Sequence, residues 1–309
     1  MSGRLLQVRV VDPVLTQLAR GYSNAEAVGS LLFPIVSVKK EAGKIPLFGK
    51  ESFLIFNTER ALRAKSNRLP VEDRDAANFT LTEHDSSYPI DYREMAEDLF
   101  DTEAYGAHRT QESIMLRHEK ICADLAQDDG NYPSGSKITL TSSGQFTHAD
   151  SDPIITIENA KEAMRQKIVK RPNTMVIGAQ SYKVLKNHPK ILERVKYTQL
   201  GIVTVDLLKS IFDVPNIKIG EMVYSTDAGV TVDLWGDNIV LAYVPEAKTD
   251  IKRSIYEPSF GYTMRHETMP QADKYEEEGG KIEVVRSTDN FVVKIVGADA
   301  GYLIKDTNA

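Results

Sequence analysis

The chain has 309 residues, 41% apolar and 27% charged, a balance that fits one large or two closely packed domains and not a disordered polymer. Its formal charge of -6 excludes a chain that coats or condenses nucleic acid, because neutralising phosphates needs a local excess of Lys and Arg. No apolar run approaches the roughly 20 residues that cross a bilayer, and the lone cysteine, Cys122, rules out an intrachain disulfide framework and suits a reducing compartment.

Residues 1–44 open with MSGRLLQVRVVDPVL, a half-apolar strand or helix whose Arg4 and Arg9 make a poor secretion signal. Ser23 or Asn24 is placed to cap a short helix ending near Leu32, and Pro34 forces an extended exit. From residue 44 to 91 the chain reads as a long ribbon. KIPLFGKESFLIFNT runs out with Phe53 and Ile55 on one face and Leu54 and Phe56 on the other; residues 78–90 return with Phe79 and Leu81 alternating with Thr80 and Thr82. Between them lie Arg60, Arg63, Lys65, Arg68 and Arg74 with almost nothing to bury, and Glu59, Glu72, Asp73 and Asp75 interrupt the basic residues. An extended hairpin with so little core is unstable alone in water, so it needs a partner surface.

YREMAEDL forms a short helical turn, after which residues 102–127 predict a helix about 39 Å long. Asp101 is its cap, with Phe100 and Tyr105 spaced as a hydrophobic staple. Ile114, Met115, His118, Ile121, Cys122 and Leu125 share one face, while Glu112, Arg117, Glu119 and Lys120 lie elsewhere. Asp128, Asp129, Gly130 and Pro133 end the helix. Residues 139–152 are polar turn and strand material, and 157–170 is an amphipathic helix with Ala160, Met164 and Ile168 aligned.

A strand at 174–177 then turns at Gly178 into a helix. Pro189 opens a second helix with Asn187 or His188 as its cap, and Thr204 caps a third, in which Val205, Leu208, Ile211 and Phe212 repeat at helical spacing. Asp213, Pro215 and Asn216 stop it, and 217–224 returns to the sheet. Strands at 230–234 and 239–244 are joined by the turn WGDN, where Trp235 reads as a core contact. Residues 281–285 and 291–296 form a last hairpin through Ser287 to Asn290.

The stretch 172–224, with its KYTQLGIVTVDLL turn and IKIGEMVY strand, closely resembles the axial domain of tailed-phage major capsid proteins, the Hong Kong phage capsid fold. The run EPSFGYTMRHETMPQADKYEEEGGKIEVVRSTDNFVVKIVGADAGYLIKD resembles the same family, and with the ribbon the resemblance covers most of the chain. It implies an α+β fold with an N-arm (1–44), an extended loop (45–90), a peripheral domain with a long spine helix (91–173 and 266–309) and an axial domain (174–265). It implies a structural protein and not an enzyme: copies form pentamers and hexamers of an icosahedral shell that encloses double-stranded DNA without sequence-specific binding. A portal protein and a separate scaffolding protein are the expected partners, with room for a decoration protein and no membrane. Assembly in the bacterial host cytoplasm and residence in the virion capsid follow. Inter-subunit contacts are expected at Lys44, Lys50, Arg60, Arg63, Lys65, Arg68 and Arg74 of the ribbon and at the acidic loop Glu276, Glu277 and Glu278. An encapsulin-like nanocompartment shell is the nearest alternative, and a soluble α/β enzyme without a recognisable motif is the alternative from another class.

Motifs that carry chemistry are missing, and no cofactor or metal is expected. GNYPSGSK transposes the Lys and Ser of a phosphate-binding loop and is followed by a strand where a helix N-terminus is required. The six histidines include no pair one helical turn apart, and HETMP lacks the second zinc-binding histidine. His118 and Cys122 on the apolar stripe read as packed residues, not as a ligand and a reactive thiol. Lys44, Lys50 and Lys65 are available for the inter-subunit crosslink some family members make, but nothing identifies a partner Asn or catalytic carboxylate, so that chemistry is not assigned.

Overall fold

The structure is a computed structural model of the chain, and it describes residues 27–47, 55, 58–60, 62, 65–68, 76–97, 102–196, 203–226, 228–245, 259–277 and 279–309. In chain order the elements are α1 (Gly29–Leu32), β1 (Ile35–Val38), β2 (Ala42–Pro46), β3 (Ala76–Thr80), β4 (Thr82–Asp91), α2 (Tyr92–Glu97), α3 (Thr102–Gln127), β5 (Lys137–Thr139), α4 (Pro153–Ile168), β6 (Thr174–Gly178) and α5 (Ala179–Asn187). They continue through α6 (Pro189–Val195), α7 (Val205–Phe212), β7 (Asn216–Gly220), β8 (Val223–Ser225), β9 (Thr231–Asp233), β10 (Ile239–Ala242), β11 (Gly261–His266), β12 (Gln271–Glu277), β13 (Ile282–Ile295) and β14 (Gly301–Lys305).

Two sheets share one helix. In the first, β13 is the central strand: β4 pairs along one side of it, while β12 and β11 pair with its successive halves along the other, and β1 adds parallel to β11. The second sheet runs β5-β14-β10-β6-β7. Helix α3 spans both. Its Ala107 packs with Ile90 and Val285 of the first sheet, and Ala123 and Ala126 belong to a cluster with Val176, Val240 and Leu303 of the second. Small residues let the backbone approach closely: a Cβ on Gly106 would press on the Tyr88 ring. The opposite face of the second sheet is closed by α4, α5, α6 and α7, whose Met164, Leu185, Ile191, Leu208 and Phe212 are buried on Met175, Ile177, Ile217 and Leu241. Each such side chain contributes about 1.5–3 kcal/mol by leaving water.

The helix termini follow the local chemistry. Thr204 accepts from Leu207 N–H at 3.4 Å, and His188 Nδ1 accepts from Lys190 N–H at 3.3 Å with Pro189 at the first helical position. Asp152, not singled out from sequence, caps α4 by accepting from Ile154 and Ile155 N–H. Asp128 accepts from Gly130 N–H and closes α3 as a polar terminus. Asp101, Phe100, Ser23 and Asn24 lie outside the described residues.

Four strand assignments differ from the sequence reading. Residues 282–295 form one continuous strand and not a hairpin, because Ser287, Thr288, Asp289 and Asn290 are buried between neighbouring strands and under α3, where Ser287 Oγ meets Thr110 Oγ1 at 2.8 Å and Asp289 meets Arg265 at 2.9 Å. Turn-forming residues hold a strand where tertiary partners take up their side chains, as Thr110 does for Ser287 and Arg265 for Asp289. The returning side of the ribbon pairs with β2 only as far as Thr80; from Thr82 it joins β13. The turn after Leu234 does not join paired strands: β9 pairs with β8, and β10 lies between β6 and β14. Pairing also crosses the expected domain boundaries, since β5 and β14 belong with β6, β7 and β10, and β11 belongs with β12, β13 and β4. Strand register is set by long-range burial, which sequence neighbours do not specify.

Candidate assembly surfaces

An internal anchor ties three separate parts of the chain together. Glu119, placed by helical spacing off the apolar face of α3, is 1% exposed. Its carboxylate accepts from Val28 N–H at 3.0 Å, from Gly29 N–H at 2.8 Å and from Trp235 Nε1–H at 2.8 Å. One side chain of α3 thus joins the start of α1 to the turn after β9. Burial raises the carboxyl above its ordinary range, and the three donated hydrogen bonds oppose that shift. Trp235 is buried as expected, lying against Gly220, where a Cβ would collide with the indole. The missed signal was Trp235 itself: a buried indole N–H needs an acceptor.

The ribbon divides into a root and a tip. At the root, β2 pairs with β3, and Ile45, Phe79 and Leu81 form an apolar cluster with Tyr262, Met264 and Val296. Beside it opens a groove of about 390 Å³ lined by Val36, Val38, Ile45, Phe79, Tyr262 and Met264, with Lys39, Lys40 and Lys44 also on its walls. At the tip, Asn67 Nδ2 donates to the Glu59 carbonyl at 2.9 Å, closing a turn. Arg60, Lys65 and Arg68 are exposed there, and the apolar side chains of Ile55 and Leu62 are 101% and 90% exposed. Lys50, Arg63 and Arg74 lie outside the described residues.

The acidic surface is at the far end of the first sheet. Glu276 and Glu277 are exposed at the end of β12, opposite Glu283 and Ile282; Glu278 lies outside the described residues. Behind them Lys274 pairs with Glu103 at 3.2 Å and Glu283 at 3.1 Å, and Arg286 pairs with Asp273 at 2.6 Å while facing the Tyr275 ring. Burial, reinforced by Glu277, raises the Tyr275 hydroxyl. Among the described residues no ion pair joins Arg60, Lys65 or Arg68 to Glu276 or Glu277.

Among the described residues the titratable groups do not converge on a reaction centre. His118 Nε2 lies 3.0 Å from Thr263 Oγ1, and its ring meets Phe291 edge-on. Burial, then the charge of Arg265 and the neighbouring His84, lowers it to about 4, so it is neutral at pH 7. The Cys122 thiol is pushed well up by burial and by Glu119, which makes it a poor nucleophile. Among the described residues no group of three His, Cys, Asp or Glu side chains is placed to hold a metal ion, and no helix is long and apolar enough to cross a membrane. The GNYPSGSK segment is a turn in which Gly135 has φ +82°.

Comparison with known proteins matches this geometry. Residues 109–282 fit the family model described as phage major capsid protein E. The chain is 54% identical over 306 residues, 99% of each chain, to the major capsid protein of Burkholderia phage BcepMu. The crystal structure of a phage-related protein from Bordetella bronchiseptica RB50 superposes with a TM-score of 0.82 at 33% identity, covering 97% of this chain and 99% of that one. The mature capsid of bacteriophage PhiM1 shares the fold, with a TM-score of 0.53 at 14% identity over 92% of this chain and 88% of that one.

Proposed function

The chain belongs to the phage major capsid protein family, and from that premise we propose that its copies form pentamers and hexamers which close into an icosahedral shell around double-stranded DNA. The observation that carries this is the ribbon tip: Ile55 and Leu62 stand almost fully exposed on an extension whose described residues between positions 48 and 75 are all exposed. Such a tip gains stability by lying on another copy. In this reading Arg60, Lys65 and Arg68, with Arg63, Arg74 and Lys50, meet Glu276, Glu277 and Glu278 of a neighbour. Two different patches meeting between copies make a heterologous contact, which closes into a ring when the rotation permits. A subunit held by several such neighbours leaves only when all release together.

The expected boundaries of N-arm, extended loop, peripheral and axial domains are kept as functional names, with β11 grouped with the peripheral sheet and β5 and β14 with the axial one. The formal charge of -6 supports DNA packed without sequence-specific grip. A separate scaffolding protein, a portal and a decoration protein are the partners this function calls for, and assembly would take place in the host cytoplasm before the shell becomes the virion capsid. Family membership weighs against the encapsulin-like alternative, and with the lack of convergent titratable groups among the described residues it weighs against the enzyme alternative.

The test is a charge exchange followed by negative-stain microscopy and size exclusion. Arg60→Glu with Lys65→Glu and Arg68→Glu is expected to abolish rings and shells, as is Glu276→Lys with Glu277→Lys, and combining all five is expected to restore them. Shells that form normally in both partial variants would overturn the contact; a wild-type chain that stays monomeric at high concentration with its genomic neighbours co-expressed would overturn shell assembly.

A further inference from the structure

The groove at the ribbon root has a chemistry that the tip-to-acid contact leaves unused. Its floor is apolar: Val36 and Val38 of β1, Tyr262 and Met264 of β11, Ile45 of β2 and Phe79 of β3. Phe79 forms one wall by lying against Gly43, where any Cβ would collide with the ring. Lys39, Lys40 and Lys44 are exposed around this floor, and none of them pairs with a carboxylate among the described residues. The only acid in the intervening turn is the exposed Glu41, so the rim is positive.

The backbone beside the groove is also open. β1 pairs with β11 alone, and β2 with β3 alone, so each presents one strand edge without a strand partner among the described residues. A strand added to the free edge of β1 would alternate its side chains across the sheet. One set would fall on the face that carries Val36, Val38, Tyr262 and Met264. Lys39 and Lys40 directly follow β1 and Lys44 lies on β2, so the rim of the groove repels a cationic segment. An extended segment carrying carboxylates meets no such repulsion.

We propose that this groove is a docking site for an extended segment of a separate protein, alternating apolar and acidic residues, which adds as a strand beside β1. Its apolar side chains occupy the floor while its carboxylates meet Lys39, Lys40 and Lys44. The recognition mode is strand addition, in which main-chain hydrogen bonds give affinity and alternate side chains give specificity. The volume of about 390 Å³ is small, so the site takes a short stretch and not a whole domain.

The experiment uses the full chain, both as assembled particles and as unassembled subunits, with a fluorescein-labelled eight-residue peptide of alternating valine and glutamate as probe. Fluorescence anisotropy is expected to show binding to both forms that weakens as salt rises, with a valine and lysine peptide at least tenfold weaker. The exposed double variant Lys39→Glu, Lys40→Glu is expected to lose at least tenfold in affinity while keeping its circular dichroism spectrum and its ability to assemble. Equal binding of the two peptides, or undiminished binding by the double variant, would overturn the proposal. So would a folded double variant that no longer assembles, or a probe that binds subunits but not particles, because either result gives the groove to a second copy of this chain. Loss of peptide binding with assembly intact separates this site from the shell contact at Arg60, Lys65 and Arg68.

Discussion

Glu119 and Ile55 sit where their side chains alone would not put them: the carboxylate is 1% exposed in the middle of α3, and the aliphatic side chain is 101% exposed on the ribbon. Around Glu119 every burial cost is met by a neighbour, with two backbone N–H groups and an indole N–H aimed at its oxygens. Around Ile55 the described residues offer no neighbour at all. The contrast teaches that, among the described residues, the interior of the body supplies its own partners while the ribbon tip does not. A buried polar group is tolerated only with partners, and an exposed apolar extension persists only when another surface gains by covering it.

The contrast breaks most visibly at the anchor. Glu119→Ala leaves three buried donors without an acceptor and should lower the unfolding free energy of the unassembled subunit by about 3 kcal/mol, read as a shift of the urea midpoint. If the midpoint is unchanged, the anchor contributes no net stability. Glu119→Gln, which keeps one accepting oxygen, should lose less.

A smaller effect separates the body from the ribbon by pH. His118 is held to about 4 in the folded chain, chiefly by burial, whereas an unfolded His titrates at its ordinary 6.5. The unfolded state therefore binds a proton that the folded state refuses between those values. Its contribution is fully present above pH 6.5 and is lost as pH falls towards 4, with a slope of at most about 1.4 kcal/mol per pH unit. Glu119, shifted upward, acts with the opposite sign, losing stability as pH rises above the usual carboxylate range. The His118→Gln variant should therefore show a smaller difference between urea midpoints at pH 7 and pH 5 than the wild type, and an equal difference would remove the assignment.

The smallest effect on the subunit sharpens the comparison from the other side. Ile55→Ser with Leu62→Ser should change subunit stability by no more than about 0.5 kcal/mol, while the yield of assembled particles by size exclusion should fall. A large stability loss would mean that the ribbon packs on its own chain.

The local grammar of the chain was readable from its residues. The 26-residue helix at 102–127, the Pro189 opening and the Thr204 cap fall where spacing and capping place them, because each depends on neighbours three or four positions away. Of the expected contact residues, the structure exposes Lys44, Arg60, Lys65, Arg68, Glu276 and Glu277, as charge runs predict, and Lys44 stands on the rim of an apolar groove. That groove was not readable, since its floor comes from residues 36, 45, 79 and 262, and no local pattern relates them.

By itself the amino-acid sequence determined the long helix at 102–127, the helix starts at Pro189 and Thr204, the lack of a catalytic motif and the ribbon's shortage of apolar surface, all of which are short-range or compositional properties. Only the tertiary structure decided that Ser287 to Asn290 continue a strand, that Glu119 is a buried anchor and that β5, β11 and β14 change sheets. The physical reason is the same in each case: the free energy of burying a polar group or choosing a strand register is set by partners far along the chain, and no window of neighbouring residues contains them.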